Sequence, residues 1–172
     1  MIVLKARYTT KRPKDVSRDK WREIMRQAYR WMGLHWVATY LAGHFAIGAG
    51  AKYRYRLRTP RYNKRKDATI GGLFRRGAHD IVIAGSNRPN VLTGYAMREI
   101  MSHTVVRGFP TRASVYLYGP SYFFMRYRMN QPDKGKEITT VNVDEKLDLS
   151  RVLRAGVLKQ LGEQHQQQSV EL

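Results

Sequence analysis

Residues 52–66, KYRYRLRTPRYNKRK, hold eight Lys or Arg, three tyrosines and no acid. Like charges crowded this closely repel one another, so the segment is expected to be held by something anionic or to stay solvated and mobile. Its first half alternates. If the chain is extended there, Lys52, Arg54, Arg56 and Arg58 fall on one side and Tyr53, Tyr55 and Leu57 on the other. With Arg61, Lys64, Arg65 and Lys66 these cations form a candidate polyanion- or partner-binding arm. A polyanion is the first partner to consider.

The chain has 172 residues, enough for one domain with a core that needs no disulfide or metal support. Cysteine is absent, which removes disulfides, thiol nucleophiles and cysteine-ligated metal centres together. The net charge of +19 exceeds what solubility requires and points to nucleic acid, an acidic protein or an anionic surface as neighbour. That charge is uneven. Residues 1–66 carry 18 basic and 3 acidic side chains, a net of +15, whereas 131–172 carry 6 and 7, a net of −1. Such asymmetry fits a protein placed between an anionic neighbour and an ordinary protein surface.

Residues 1–8, MIVLKARY, have too short an apolar run for a secretory signal and no small-residue cleavage site. Residues 31–51 lack charge over 21 positions, a length that can span a bilayer. They also contain His35, Thr39, His44 and four glycines, and they continue an amphipathic pattern begun at Trp21. The expectation is a buried helix followed by a glycine-rich loop, with no membrane contact.

Residues 2–8 alternate as a half-buried strand does. Pro13 breaks that pattern, and Asp15 or Ser17 can cap a helix whose Trp21, Ile24, Met25, Ala28, Met32, His35, Trp36 and Thr39 make one stripe. Arg22, Arg26 and Arg30 lie on the opposite face, and Gly43 is the expected stop. Residues 45–69 then read as a glycine-rich, basic projecting loop or hairpin. A short strand over 81–84 and a helix capped by Thr93, with Met97, Ile100 and Met101 on one face, come next. Residues 104–106 and 113–117 predict a hairpin around 108–111, and 122–129 and 138–143 predict further strands. A last helix from Asp148 or Ser150 places Leu149, Val152, Leu153, Gly156, Val157, Gln160 and Leu161 on one stripe. The expected fold is α+β: a long N-terminal helix and a C-terminal helix on a mainly antiparallel sheet. It forms one domain over 1–163, with a disordered polar tail over 164–172.

Catalytic chemistry is poorly represented. The histidines at 35, 44, 79, 103 and 165 show no paired metal-ligand spacing. His35 lies on an apolar stripe, where a hydrogen-bonded core role outweighs that of ligand or base, and His79 with Asp80 reads as a loop pair. Asp144, Glu145 and Asp148 suit the positive end of the last helix better than a carboxylate pair for acid–base work. The 48–50 glycines lack the ending of a phosphate loop. No nucleophile–base–oxyanion set emerges, and neither a cofactor, a metal nor an enzymatic activity is expected.

The basic segment can neutralise phosphates with release of counterions, and its tyrosines can stack on exposed bases. No base-reading module accompanies it, so contact with nucleic acid is expected to be with the backbone and independent of sequence.

Residues 89–98, PNVLTGYAMR, resemble the P-x-x-T-G-x-L-R signature of neck and tail-completion proteins of long-tailed bacteriophages, with one extra residue. The hairpin that follows and the step Gly119, Pro120, Ser121, Tyr122 are similar to the G-P-x-Y step of that family, and 61–66 resembles its basic stretch. Thr93, Gly94, Arg98, Gly119, Pro120 and Tyr122 carry the resemblance. Met97 stands where the signature has leucine, and no glutamate–glycine step follows Tyr122. The resemblance implies a non-enzymatic virion component, made in the host bacterial cytoplasm and assembled as a homo-oligomeric ring at the head–tail junction or upper tail. Trp31, Trp36, Tyr40, Tyr122 and Phe124 would help form its inter-subunit surface. The basic arm would grip acidic surfaces of neighbouring neck, connector or tail proteins, or face packaged DNA. The alternative is a sequence-independent RNA- or DNA-binding protein using the same arm.

Overall fold

The computed structural model describes residues 2–5, 11–46, 48–55, 60, 61, 64, 95–120 and 134–170, with 163–170 given through the backbone. In chain order the elements are β1 (Ile2–Leu4), α1 (Arg18–Thr39), a 3₁₀ helix (Leu41–Phe45), α2 (Ala49–Lys52), α3 (Tyr95–Ser102), β2 (Val105–Phe109), β3 (Arg112–Tyr116), α4 (Lys134–Glu137) and α5 (Val143–Val170). Helices with a small antiparallel sheet make the fold α+β, as the periodicities indicate. The chain divides into two compact units. The first comprises Met1–Ala38, Val105–Tyr116 and Val143–Leu172; the second comprises Thr39–Thr104 and Leu117–Asn142.

In the first unit the sheet runs β1-β3-β2, so among the described residues the first strand pairs with the last. Ile2 stands opposite Val115 and Leu4 opposite Ala113, all four buried, while Val3 points outward. The expected hairpin forms between β2 and β3, with Phe109 opposite Arg112. Gly108 belongs to the strand and not to the turn, because it pairs with Ala113.

Helix α1 begins where Ser17 Oγ accepts the Lys20 N–H at 3.3 Å and the Ser17 carbonyl accepts the Trp21 N–H at 2.9 Å, a side-chain cap. Ile24, Met25, Ala28, Tyr29, Met32, Gly33 and Trp36 form its buried side. Each large side chain fully buried in this way contributes about 1.5–3 kcal/mol. Trp36 is wholly buried, which corrects its assignment to an inter-subunit surface; Trp31 is 42% exposed. Two glycines set how near the helix lies to the sheet. A Cβ on Gly33 would come within 2.6 Å of Val106 Cγ1, and one on Gly108 would run into the Arg26 carbonyl oxygen.

Helix α5 starts at Val143, earlier than the Asp148 or Ser150 start expected, so Asp144 and Glu145 occupy its first turn and suit the helix dipole there. Leu149, Leu153, Gly156 and Val157 are buried, and the helical backbone continues past 163, where the apolar pattern stops. Contacts pair the start of α5 with the end of α1, Asp148 with His35, and a later residue of α5 with earlier ones of α1, Gly156 with Ala28 and Trp31. The two helices therefore run antiparallel.

In the second unit α1 ends at Thr39, and the chain turns through the 3₁₀ helix, whose Leu41, His44 and Phe45 are buried. Gly43 sits within this turn instead of stopping α1. On α3, Ile100 is buried and Met101 is exposed. Residues 138–143 form no strand, since Ile138 and Thr139 close α4 as a turn and Val143 already belongs to α5. Ile138 is nonetheless fully buried, which accounts for the apolar signal. The strands expected over 81–84 and 122–129, and the Thr93 cap, lie outside the described residues. Among those described, no helix is long and apolar enough to cross a membrane.

Candidate functional site

The described start of the basic segment is folded onto the second unit. Gly48, at φ 81°, turns the chain into α2, a left-handed conformation that a Cβ would strain. At the other end of α2, the Tyr55 N–H donates to the Gly50 carbonyl at 2.9 Å and the Arg54 N–H to the Ala51 carbonyl at 3.3 Å. Arg54 between them has φ 53°. These two bonds around one left-handed residue are a Schellman cap, with arginine where glycine is usual. The apolar contact that accompanies such caps is present, as Tyr55 clusters with Ala49 and Tyr53.

The cap explains the alternation by other means than an extended strand. Reversing the chain at Arg54 turns Tyr53 and Tyr55 inward, 4% and 8% exposed, and leaves Lys52 and Arg54 in solvent. The two tyrosines meet His44, a buried residue of the 3₁₀ helix. Its imidazole stacks on Tyr53, with centroids 3.8 Å apart, and shares a hydrogen bond between Nδ1 and the Tyr55 hydroxyl. Gly43 makes room for this, since a Cβ there would lie 3.1 Å from the Tyr53 hydroxyl. Burial, and secondarily the Lys52 ammonium, lower the His44 pKa to about 4; a hydrogen bond to the Glu137 backbone works against both. The imidazole is therefore neutral near pH 7.

Of the candidate cations, Lys52, Arg54, Arg61 and Lys64 are exposed, and the backbone at Pro60, Arg61 and Lys64 is helical. Lys52 Nζ lies 5.1 Å from the Tyr53 ring centroid and 5.9 Å from that of Tyr40. Arg56, Arg58, Arg65 and Lys66 lie outside the described residues. The arrangement offers charge outward and seals two of the three tyrosines inward, so Tyr53 and Tyr55 have no face for a base to stack on. Of the family-like residues, Arg98 on α3 and Gly119 are exposed, and Pro120 is half-buried. Thr93, Gly94, Tyr122 and the pair His79 and Asp80 lie outside the described residues.

In the first unit, His35 Nε2 lies 2.8 Å from Asp148 Oδ2, joining α1 to α5 as a hydrogen-bonded structural histidine. Among the described residues no three His, Asp or Glu stand close enough together to hold a metal ion. Sequence reasoning missed His44 as the root of the basic segment. Its only local signal is an uncharged residue between Leu41 and Phe45, and the partners that define it lie nine and eleven residues on. No family model matches this chain, no curated protein matches it, and no solved structure matches it.

Proposed function

We propose that this chain is a structural virion protein of a tailed bacteriophage. In this reading it assembles as a ring at the head–tail junction or upper tail and holds neighbouring acidic rings through its basic segment. The motif resemblance at 89–98 and 119–122 supplies the class. The observation that carries the mechanism is the Schellman cap at Arg54, which seals Tyr53 and Tyr55 on His44 and turns Lys52 and Arg54 outward. A segment built this way engages anionic surfaces by charge at a fixed root, and the Tyr53 and Tyr55 rings take no part. Electrostatic complementarity of this kind supplies register and association rate more than raw affinity. The test is genetic. Particles assembled without the protein should accumulate as filled heads and separate tails in electron micrographs, and supplying it in trans should join them. Normal assembled virions in its absence would sink the proposal.

One observation favours a second reading, sequence-independent binding to nucleic acid: eight cations without an acid over 52–66. Backbone phosphate contacts need charge and no exposed aromatic face, so the buried tyrosines are compatible with it. Binding by the isolated chain that weakens steeply with salt separates this reading from the first.

A further inference from the structure

The first unit carries a second surface, independent of the basic segment. Along α1, Gln27, Arg30, Trp31 and Leu34 follow the i, i+3, i+4, i+7 spacing and so share one side, beside the buried stripe. Together with Lys159 and Gln160 of α5 they enclose a cleft of about 390 Å³, a volume that accepts a large apolar side chain. Trp31 and Leu34 are 42% and 47% exposed, unusually open for large apolar residues placed side by side.

Trp31 is held in position. Gly156 of α5 passes under its ring so closely that a Cβ there would lie 2.9 Å from Cε3. Lys159 Nζ stands 5.3 Å from the ring centroid. An exposed indole fixed against a backbone loses little conformational freedom on binding, and tryptophan is among the commonest side chains to dominate interface energetics. Among the described residues, the charged side chains lining the cleft are Arg30 and Lys159, and no carboxylate lines it.

We propose that this cleft docks an amphipathic acidic segment of another protein, with an apolar side chain against Trp31 and Leu34 and carboxylates on Arg30 and Lys159. Charge selects this occupant. A second copy of the chain brings a net charge of +19 of its own. A nucleic acid backbone finds a denser run of cations at 52–66 and gains nothing from an indole beside a leucine. A segment carrying both carboxylates and an apolar anchor matches the positive charge of Arg30 and Lys159 and the apolar surface of Trp31 and Leu34. The surface stands whether or not the chain forms a ring.

The test uses the full chain and a synthetic helical peptide of about four turns, with leucines on one face and glutamates flanking them. Two control peptides replace the glutamates with glutamine or the leucines with alanine. The readout is the Trp31 indole N–H resonance, assigned with Trp31→Phe, alongside a binding titration. The Leu/Glu peptide should shift that resonance and bind at least about tenfold more tightly than either control. Arg30→Glu with Lys159→Glu should weaken it by about tenfold or more. Arg54→Gln with Arg61→Gln in the basic segment should leave the Trp31 shift intact. Trp31→Phe preserves a ring over Gly156 and serves as the milder variant should Trp31→Ala perturb the fold. Three outcomes overturn the proposal: equal binding of the glutamine peptide, insensitivity to the Arg30 and Lys159 reversals, or a Trp31 shift that follows protein concentration or added single-stranded DNA instead of the peptide.

Discussion

The His44 imidazole lies flat on the Tyr53 ring, centroids 3.8 Å apart and planes 18° from parallel, at the point where the most basic stretch of the chain begins. A neutral aromatic stack thus anchors a segment whose neighbouring cations repel one another. Stacking and burial offset that repulsion locally, because aromatic pairs add about 0.5–1.5 kcal/mol beyond the area they bury.

This stack should be sensitive to acid. The folded pKa of His44, about 4, lies below its ordinary 6.5, so the unfolded chain binds the proton more readily. The contribution is complete above about pH 6.5 and is lost as pH falls from there through about 4, up to roughly 3 kcal/mol in all. Urea midpoints of the wild type, followed by near-ultraviolet circular dichroism, should fall across that window. His44→Gln should be less stable near neutrality and lose this part of the pH slope. A wild-type midpoint flat across the window would contradict the burial of His44.

Arg54 adopts a left-handed backbone that costs an L-residue about 1 kcal/mol. Arg54→Gly should therefore hold or raise stability by up to about 1 kcal/mol despite losing a side chain, and Arg54→Val should lower it. Denaturant unfolding of the two variants side by side decides the matter.

The glycines of α5 should respond in opposite directions to alanine. Gly156 lies against Trp31 and Ala28, whereas nothing stands within 4 Å of a Cβ on Gly162. Gly156→Ala should cost about 1–3 kcal/mol through overpacking, and Gly162→Ala should add about 0.5–1 kcal/mol through helix propensity. Gly108→Ala, facing backbone instead of a movable side chain, should be the most damaging of the three. Thermal midpoints provide the ranking.

His35 and Asp148 are each about one-third exposed, so their hydrogen bond should contribute modestly. A double-mutant cycle with His35→Ala and Asp148→Ala should return a coupling of about 0.5–1.5 kcal/mol. A coupling near zero would show that packing alone joins α1 to α5.

If the basic segment meets nucleic acid, replacing Lys52, Arg54, Arg61 and Lys64 with glutamine should reduce the slope of log affinity against log salt by up to about four units. Tyr55→Phe removes the hydroxyl that meets His44 and should change stability while leaving that slope untouched. A change of slope in Tyr55→Phe would mean that the ring leaves its buried position on binding.

Much of the fold follows from local pattern. The alternation of Ile2, Val3 and Leu4, the stripe from Ile24 to Trp36, the cap at Ser17 and the hairpin onto Ala113 and Val115 each rest on residues within a few turns of one another. Period and capping chemistry are therefore enough to place them. The candidate site was half legible on the same grounds: the pattern separates Lys52 and Arg54 from Tyr53 and Tyr55, although it suggests a strand where a helix cap occurs. Only tertiary structure decides that β1 joins β3, that Gly33 and Gly108 admit α1 onto the sheet, and that Trp36 is core while Trp31 is surface. It also places a neutral histidine beneath the tyrosines of the basic segment. These outcomes depend on close approach between distant parts of the chain, where the excluded volume of one Cβ or the desolvation of one imidazole decides the result. Neither quantity has a period along the sequence.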